Sequence, residues 1–202
     1  TINPSTGSVT TIEPLDREDI DFYNLTITAT NSAGAKAECN LIVNILDKND
    51  NAPQLLVSNY VGYVLEDVPV GSLIQGNDSN PLVIYATDVD SQSNALLRFK
   101  ILEPSAAGMF YIDGFTGTIR TKTQLDYESV VSVRFTVRVV DLGEPQLTSD
   151  VTAEVNINIL DVNDCMPRFL HAEYNLSMLV PLYPDARIVQ VEASDEDTAP
   201  LT

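Results

Sequence analysis

The string Asp47-Lys-Asn-Asp-Asn-Ala-Pro53 returns 114 residues later as Asp161-Val-Asn-Asp-Cys-Met-Pro167. Each copy closes one alternating apolar run and opens another. Self-similarity at a fixed period is the mark of a repeat architecture, so one fold must serve the sequence more than once. Other strings keep step. Thr6-Gly-Ser-Val9 matches Thr116-Gly-Thr-Ile119, Leu15-Asp-Arg-Glu18 matches Leu125-Asp-Tyr-Glu128, and Ala29-Thr-Asn31 matches Val139-Val-Asp141, all offset by 110. Thr87-Asp-Val-Asp90 matches Ser194-Asp-Glu-Asp197, offset by 107. Small drifts in offset are what loop-length variation between related repeats produces. The chain then divides into the C-terminal half of one repeat (1–50), a complete repeat (51–164) and the N-terminal part of a third (165–202).

Within the repeat the pattern has period two. Val131, Val133, Phe135, Val137 and Val139 alternate with polar positions, as do Val151, Ala153, Val155, Ile157 and Ile159, and Tyr23, Leu25, Ile27 and Ala29. Alternating β-branched and aromatic residues cut by Gly, Pro, Asn and Asp read as half-buried strands. No segment sustains a helical period. Short strands at this spacing predict an all-β chain of sandwich or barrel type.

Charge narrows the function classes. The chain has 29 acidic and 11 basic residues among 202, a formal net charge of −18. That balance argues against nucleic acid, which needs a basic footprint, and against direct contact with an anionic membrane. The apolar runs are too regular for a disordered acidic tail, so the acids sit on folded domains and invite bound cations. Carboxylate and amide oxygens crowded into the two repeated strings suit Ca²⁺, a hard cation that takes about six to eight oxygen ligands. No apolar run reaches the ~18 residues of a membrane span, no leader opens the chain, and the sequence reads as a piece of something longer.

Catalytic patterns are missing. There is no Trp for a sugar platform and a single histidine, His171, expected on an exposed strand. No Ser/His/Asp order, phosphate loop or Cys/His zinc spacing is present, so the chain does not read as an enzyme. Cys39 reads as a buried small hydrophobe and Cys165 as a substitution in the second string. About one repeat separates them, too far for a disulfide if the repeats stack end to end. Sequons at Asn24, Asn77 and Asn175 are candidate glycosylation sites.

These strings resemble the cadherin repeat, and the likeness spans the whole chain. It is carried by LDRE at 15–18, LDYE at 125–128, DKNDNAP at 47–53, DVNDCMP at 161–167, DVD at 88–90, DED at 195–197 and the glutamate Glu66. Cys165 and the run SMLVPLYPDARIV at 177–189 lean toward the giant Fat-type cadherins. The resemblance implies Ig-like Greek-key sandwiches joined end to end, with up to three Ca²⁺ in each complete junction. The first junction would draw on Asp16, Glu18, Asp47, Asp50, Asp88, Asp90 and Asp141, with the Asn49 amide and the carbonyls of Lys48, Asn51 and Asn94. The second would draw on Glu66, Asp126, Glu128, Asp161, Asp164, Asp195 and Asp197, with the Asn163 amide and the carbonyls of Val162 and Cys165. Seven carboxylates in each account for fourteen of the 29 acids, and carboxylates at close quarters repel unless neutralised.

Two departures stand out. Asn31 takes a place the family gives to Asp, so the junction preceding this segment is expected to lose one charge. Val180 takes the place matching Glu66, so the junction after this chain is expected to hold fewer ions and to be more flexible. By resemblance the chain belongs to the extracellular part of a single-pass plasma-membrane protein acting in Ca²⁺-dependent cell–cell adhesion. Its partner would be another cadherin ectodomain, homophilic or heterophilic. A passive spacer that sets length and stiffness is the alternative. The absent Trp favours the spacer, because some adhesive cadherins use one as a strand-swap anchor.

Overall fold

The computed structural model describes residues 1–179 and 184–197. Its elements run β1 (Phe22–Thr30), β2 (Lys36–Asn44), β3 (Gln54–Leu55), β4 (Asn59–Leu65), β5 (Ala86–Thr87), β6 (Leu97–Ile101), α1 (Pro104–Met109), β7 (Phe110–Ile112), β8 (Ile119–Thr121), β9 (Ser132–Asp141), β10 (Ala153–Leu160), β11 (Arg168–Phe169) and β12 (Ala193–Ser194). The chain is nearly all β. The six-residue α1 has no helical period to announce it; Pro104 opens it at a position where a missing N–H costs nothing. Among the described residues no helix is long and apolar enough to cross a membrane.

Two compact units divide the chain. The first comprises 1–56, 85–99 and 138–152; the second comprises 57–84, 100–137 and 153–202. In the first unit β1 and β2 form an antiparallel hairpin with Tyr23 opposite Val43, Leu25 opposite Leu41 and Ile27 opposite Cys39. Asn31 closes its turn by accepting the N–H groups of Ala33 and Ala35 at 3.0 and 2.9 Å. The hairpin and the preceding segment line a pocket of about 400 Å³, with Val9, Ile12 and Leu15 facing Tyr23, Leu25, Leu41 and Val43. Thin cover leaves Cys39 exposed, contrary to the buried hydrophobe expected from the sequence.

In the second unit β10 is the spine. It pairs in parallel with β4 and antiparallel with β9, in a sheet ordered β4-β10-β9-β6. The inward residues Ala153, Val155, Ile157 and Ile159 are at most 2% exposed, so the alternation has one face in the core. Val64, Ile74, Leu82, Ile84, Ile101, Ile112, Ile119 and Leu125 complete that core, with the Phe110 and Phe135 rings stacked at 6.0 Å. Burying such side chains contributes roughly 1.5–3 kcal/mol each. Val131 and Val151 extend the sequence alternation but lie just outside β9 and β10 and are exposed.

His171 is exposed, as expected, but on a bend after β11 rather than on a strand; its ring meets Tyr174 edge-on at 5.4 Å. Val180 and part of the 177–189 run lie outside the described residues.

Candidate metal centres

Loops at the ends of strands carry the acidic residues, and the fold gathers them into two places. In the first unit, carboxylate oxygens of Glu18, Asp47 and Asp90 lie within 4.8 Å of one another. Asp47 is held by the Ser91 N–H at 3.1 Å and the Asn94 amide at 2.8 Å, both on Oδ2. Its other oxygen pairs with Arg17. Burial alone would raise the Asp47 carboxyl; Ser91, Asn94 and Arg17 outweigh it and hold the group below its ordinary value. Asp90, 6% exposed, accepts the Asn51 side-chain amide at 2.8 Å and the Asn51 N–H at 3.3 Å. Its own N–H donates to Asp88 at 3.0 Å. Burial, then the charges of Asp90, Asp141 and Asp47, push the Asp88 carboxyl up despite that hydrogen bond.

Asn49 and Asp141 form the buried floor of this region. Asp141 is fully buried and accepts N–H groups from Gly143 at 3.0 Å and from Leu147 at 3.1 Å. The Asn49 amide nitrogen donates to Asp141 at 3.1 Å and to the Pro145 carbonyl at 2.6 Å. That orientation leaves the Asn49 carbonyl oxygen buried and without a hydrogen bond. Asp16 sits beside the cluster, accepting the Glu18 N–H at 2.9 Å. Asp50 is exposed, with the Lys48 ammonium 3.9 Å away, and is not among the three converging carboxylates.

The second unit repeats the device. Glu66, only 3% exposed, accepts the N–H groups of Tyr127 at 2.5 Å and Val162 at 2.8 Å. One carboxylate thereby ties the LDYE loop to the segment after β10. Glu66, Asp126 and Glu128 converge within 4.8 Å, and a second group joins Glu128 to Asp164, Cys165 and Asp197. Ser129 and the Glu128 N–H hold Asp126 below its ordinary value. Glu128 is pushed up: its own N–H stabilises the charge, but burial, Glu66, Asp126 and Asp164 outweigh it. Asp195 accepts the Asp197 N–H at 3.2 Å. Asp161 is half-buried and is not among these converging groups, and Asn163 is exposed. Asn24, Asn77 and Asn175 are exposed.

Asn51 and Cys165 each turn a backbone N–H onto the matching aspartate; Cys165 donates to Asp197 at 3.2 and 3.3 Å. Cys165 lacks the further amide bond that Asn51 gives Asp90. Its sulfur also faces the cluster, where the sequence suggested a backbone role alone. Burial, then Glu128, Asp197 and Asp164, push its thiol up to about 12, so it is an un-ionised, poorly nucleophilic cysteine.

Sequence patterns also missed Arg17 and Gly143. The Cβ of any residue at 143 would fall 2.4 Å from the Asn49 amide and 2.7 Å from the Asn94 oxygen. The Gly of the 141–145 string was the available signal.

The same chain carries a family signature. The cadherin-domain pattern matches residues 1–46 and 61–159. The chain belongs to the cadherin family. It is 39% identical over 198 residues to human protocadherin Fat 1 and 41% identical over 197 residues to mouse protocadherin Fat 2. It is 37% identical over 203 residues to the Drosophila Fat-like cadherin-related tumor suppressor homolog. These alignments cover 98–99% of the chain but about 4% of each relative. Among solved structures, human CDH23 EC21-23 superposes with a TM-score of 0.79 at 29% identity, covering 98% of this chain and 61% of that one. Mouse Cadherin-23 EC22-24 gives 0.72 at 28%, covering 93% and 57%. The chain is a set of tandem Ig-like cadherin repeats, and its Fat-type character rests on the first three relatives.

Proposed function

We propose that the two acidic clusters are Ca²⁺ sites at the junctions of an extracellular cadherin segment. Three buried oxygens carry this reading: Asn49 Oδ1, Asp88 Oδ2 and Glu128 Oε1 accept no hydrogen bond. Leaving a buried acceptor unpaired costs about 1–3 kcal/mol, and in one small protein all three belong to the expected ligand set. Oxygen donors without histidine fit a hard cation. Bound Ca²⁺ would supply the positive charge that the carboxylates lack. The protein's contribution is to hold the oxygens: Ser91, Asn94 and Asn51 fix Asp47 and Asp90, while Tyr127 and Val162 fix Glu66.

On this reading the repeats are 1–50, 51–164 and 165–202, and the junctions between them stiffen on loading. The paired acids are cation ligands rather than catalytic carboxylates. Extracellular Ca²⁺ modules bind at roughly 10⁻⁴–10⁻³ M, so the sites fill outside a cell. The segment serves Ca²⁺-dependent cell–cell adhesion through another cadherin ectodomain, with a spacer role as the alternative; a structure related at 29% identity is described as a protocadherin cis-dimer. Calorimetric titration tests the sites: saturable Ca²⁺ binding that Asp90→Ala and Glu66→Ala each weaken at least about tenfold supports them, and no heat in the native chain refutes them. Sedimentation in Ca²⁺ and in chelator separates the two roles, since a Ca²⁺-dependent dimer excludes the passive spacer.

A further inference from the structure

The first cluster contains an organic cation that the second lacks. Arg17 lies between the two acids of its own LDRE string. Its guanidinium bonds Glu18 and pairs with Asp47, and it donates to the Val89 carbonyl at 2.9 Å. One side chain thus joins the 16–18 loop, the 47–51 string and the 88–90 loop. Those are the three segments that supply Glu18, Asp47 and Asp90. The pairs are not loose surface contacts, since the side chains of Arg17, Asp47 and Glu18 are 18%, 13% and 22% exposed. An arginine in such a place stays charged at any physiological pH and presents its donors in a rigid fork. By contrast, Lys48 and Asp50 meet at 3.9 Å with 79% and 53% exposure, a solvated pair that takes no part.

The matching position in the second repeat is Tyr127. Only its backbone N–H reaches the acids, at Glu66. Among the described residues no ion pair reaches Glu66, Asp126, Glu128, Asp164 or Asp197. The LDRE and LDYE strings share their two acids and differ in this one charge.

We propose that Arg17 is a built-in competitor at the first cluster: its guanidinium neutralises Glu18 and Asp47 while the cluster is metal-free, and it must release both before they can serve an ion. This rests on the Ca²⁺ reading of the clusters. Arg17 then stabilises the empty junction and weakens the loaded one, whereas the second cluster, when empty, is tied by the hydrogen bonds to Glu66 and Asp197 and has no side-chain cation to offset its acids. The first junction keeps an ionic cross-link between its three segments at Ca²⁺ concentrations where the second has hydrogen bonds alone.

The test uses the 202-residue chain in a Glu66→Gln, Glu128→Gln background that disables the second cluster. Ca²⁺ is titrated calorimetrically into this protein and into the same protein carrying Arg17→Gln, and both are melted in chelator. Releasing partly exposed ion pairs predicts that Arg17→Gln tightens Ca²⁺ binding about three- to tenfold and lowers the melting temperature in chelator. Arg17→Lys keeps the charge without the fork and falls between the two, and it decides the matter if the glutamine variant does not fold. Unchanged or weaker Ca²⁺ binding in the variants, with binding intact in the parent, overturns the role of Arg17 and leaves the Ca²⁺ sites standing. No saturable binding in any of the proteins removes both.

Discussion

Glu128 and Gly143 show what single residues do for a site built of loops. Glu128 holds an unpaired buried oxygen near Glu66, Asp126 and Asp164, and its carboxyl is pushed above its ordinary value of 4.5. A raised carboxyl pKa means that the ionised form opposes folding at neutral pH and that protonation relieves the penalty. Glu128→Gln is therefore expected to raise the melting temperature in chelator at pH 7, with the gain shrinking as pH falls through the raised value. In saturating Ca²⁺ the order should reverse, because a ligand oxygen has lost its charge. Melting curves in the two buffers check both signs, and equal shifts in both would point to a purely structural role. Gly143 acts by being absent: a methyl group there would collide with the Asn49 amide. Gly143→Ala should cost about 1–3 kcal/mol, read as a lower denaturation midpoint, and should weaken Ca²⁺ binding by turning the Asn49 oxygen away. The acidic ligands were legible in the sequence because carboxylates that recur at one offset, in loops between strands, bring like charges together in every repeat. Asn49 and Asn163 looked alike there and differ here: Asn49 is buried and anchored by Asp141 and Pro145, whereas Asn163 is exposed. Tyr127 and Val162 serve Glu66 through backbone N–H groups, and such groups leave no trace in side-chain identity.

Strands fix where those loops can meet, and β9 and β10 illustrate how. Phe135, Val137 and Val139 face inward on β9 as the alternation predicts, because a period of two permits only one register once one face is buried. The pairing of β10 was less visible: its parallel contact with β4 joins segments nearly a hundred residues apart, and a period-two pattern fits either direction. Nor did the sequence announce the device that ends the β6–β9 pairing. Leu102 donates to the Thr136 carbonyl at 3.0 Å, and Glu103 then takes over, accepting the Thr136 N–H and hydroxyl, each at 2.8 Å. Burial would raise the Glu103 carboxyl, but these two donors outweigh it and hold the group below its ordinary 4.5. A depressed carboxyl pKa contributes stability that is complete above the unfolded value and is lost as pH falls through the folded one. Glu103→Gln is thus expected to lower the melting temperature at pH 7, with the gap to the native chain closing below pH 4.5. Chelator in every sample keeps the metal clusters out of this comparison. A gap independent of pH would mean that shape, not charge, makes the Glu103 contact.

Over the whole molecule, a net charge of −18 sets carboxylate repulsion against burial of one apolar core after another. Fourteen of the 29 acids stand in the two expected ligand sets, so nearly half of the carboxylates are concentrated where a bound ion can neutralise them. Monovalent salt cannot replace a coordinated ion, but it shortens the reach of the repulsion: the Debye length falls from about 30 Å at 0.01 M to about 10 Å at 0.1 M. In chelator, raising NaCl across that range should therefore raise the melting temperature; in saturating Ca²⁺ the same change should do little. Arg17 makes the argument specific, because the first cluster already carries an internal cation and the second does not. The salt response in chelator should come mainly from the second unit, so Glu128→Gln should blunt it and Asp90→Asn should not. A chelated chain whose stability is flat or falls with salt would show that these carboxylates do not repel enough to matter, and the mechanical case for ion-stiffened junctions would lose its driving force.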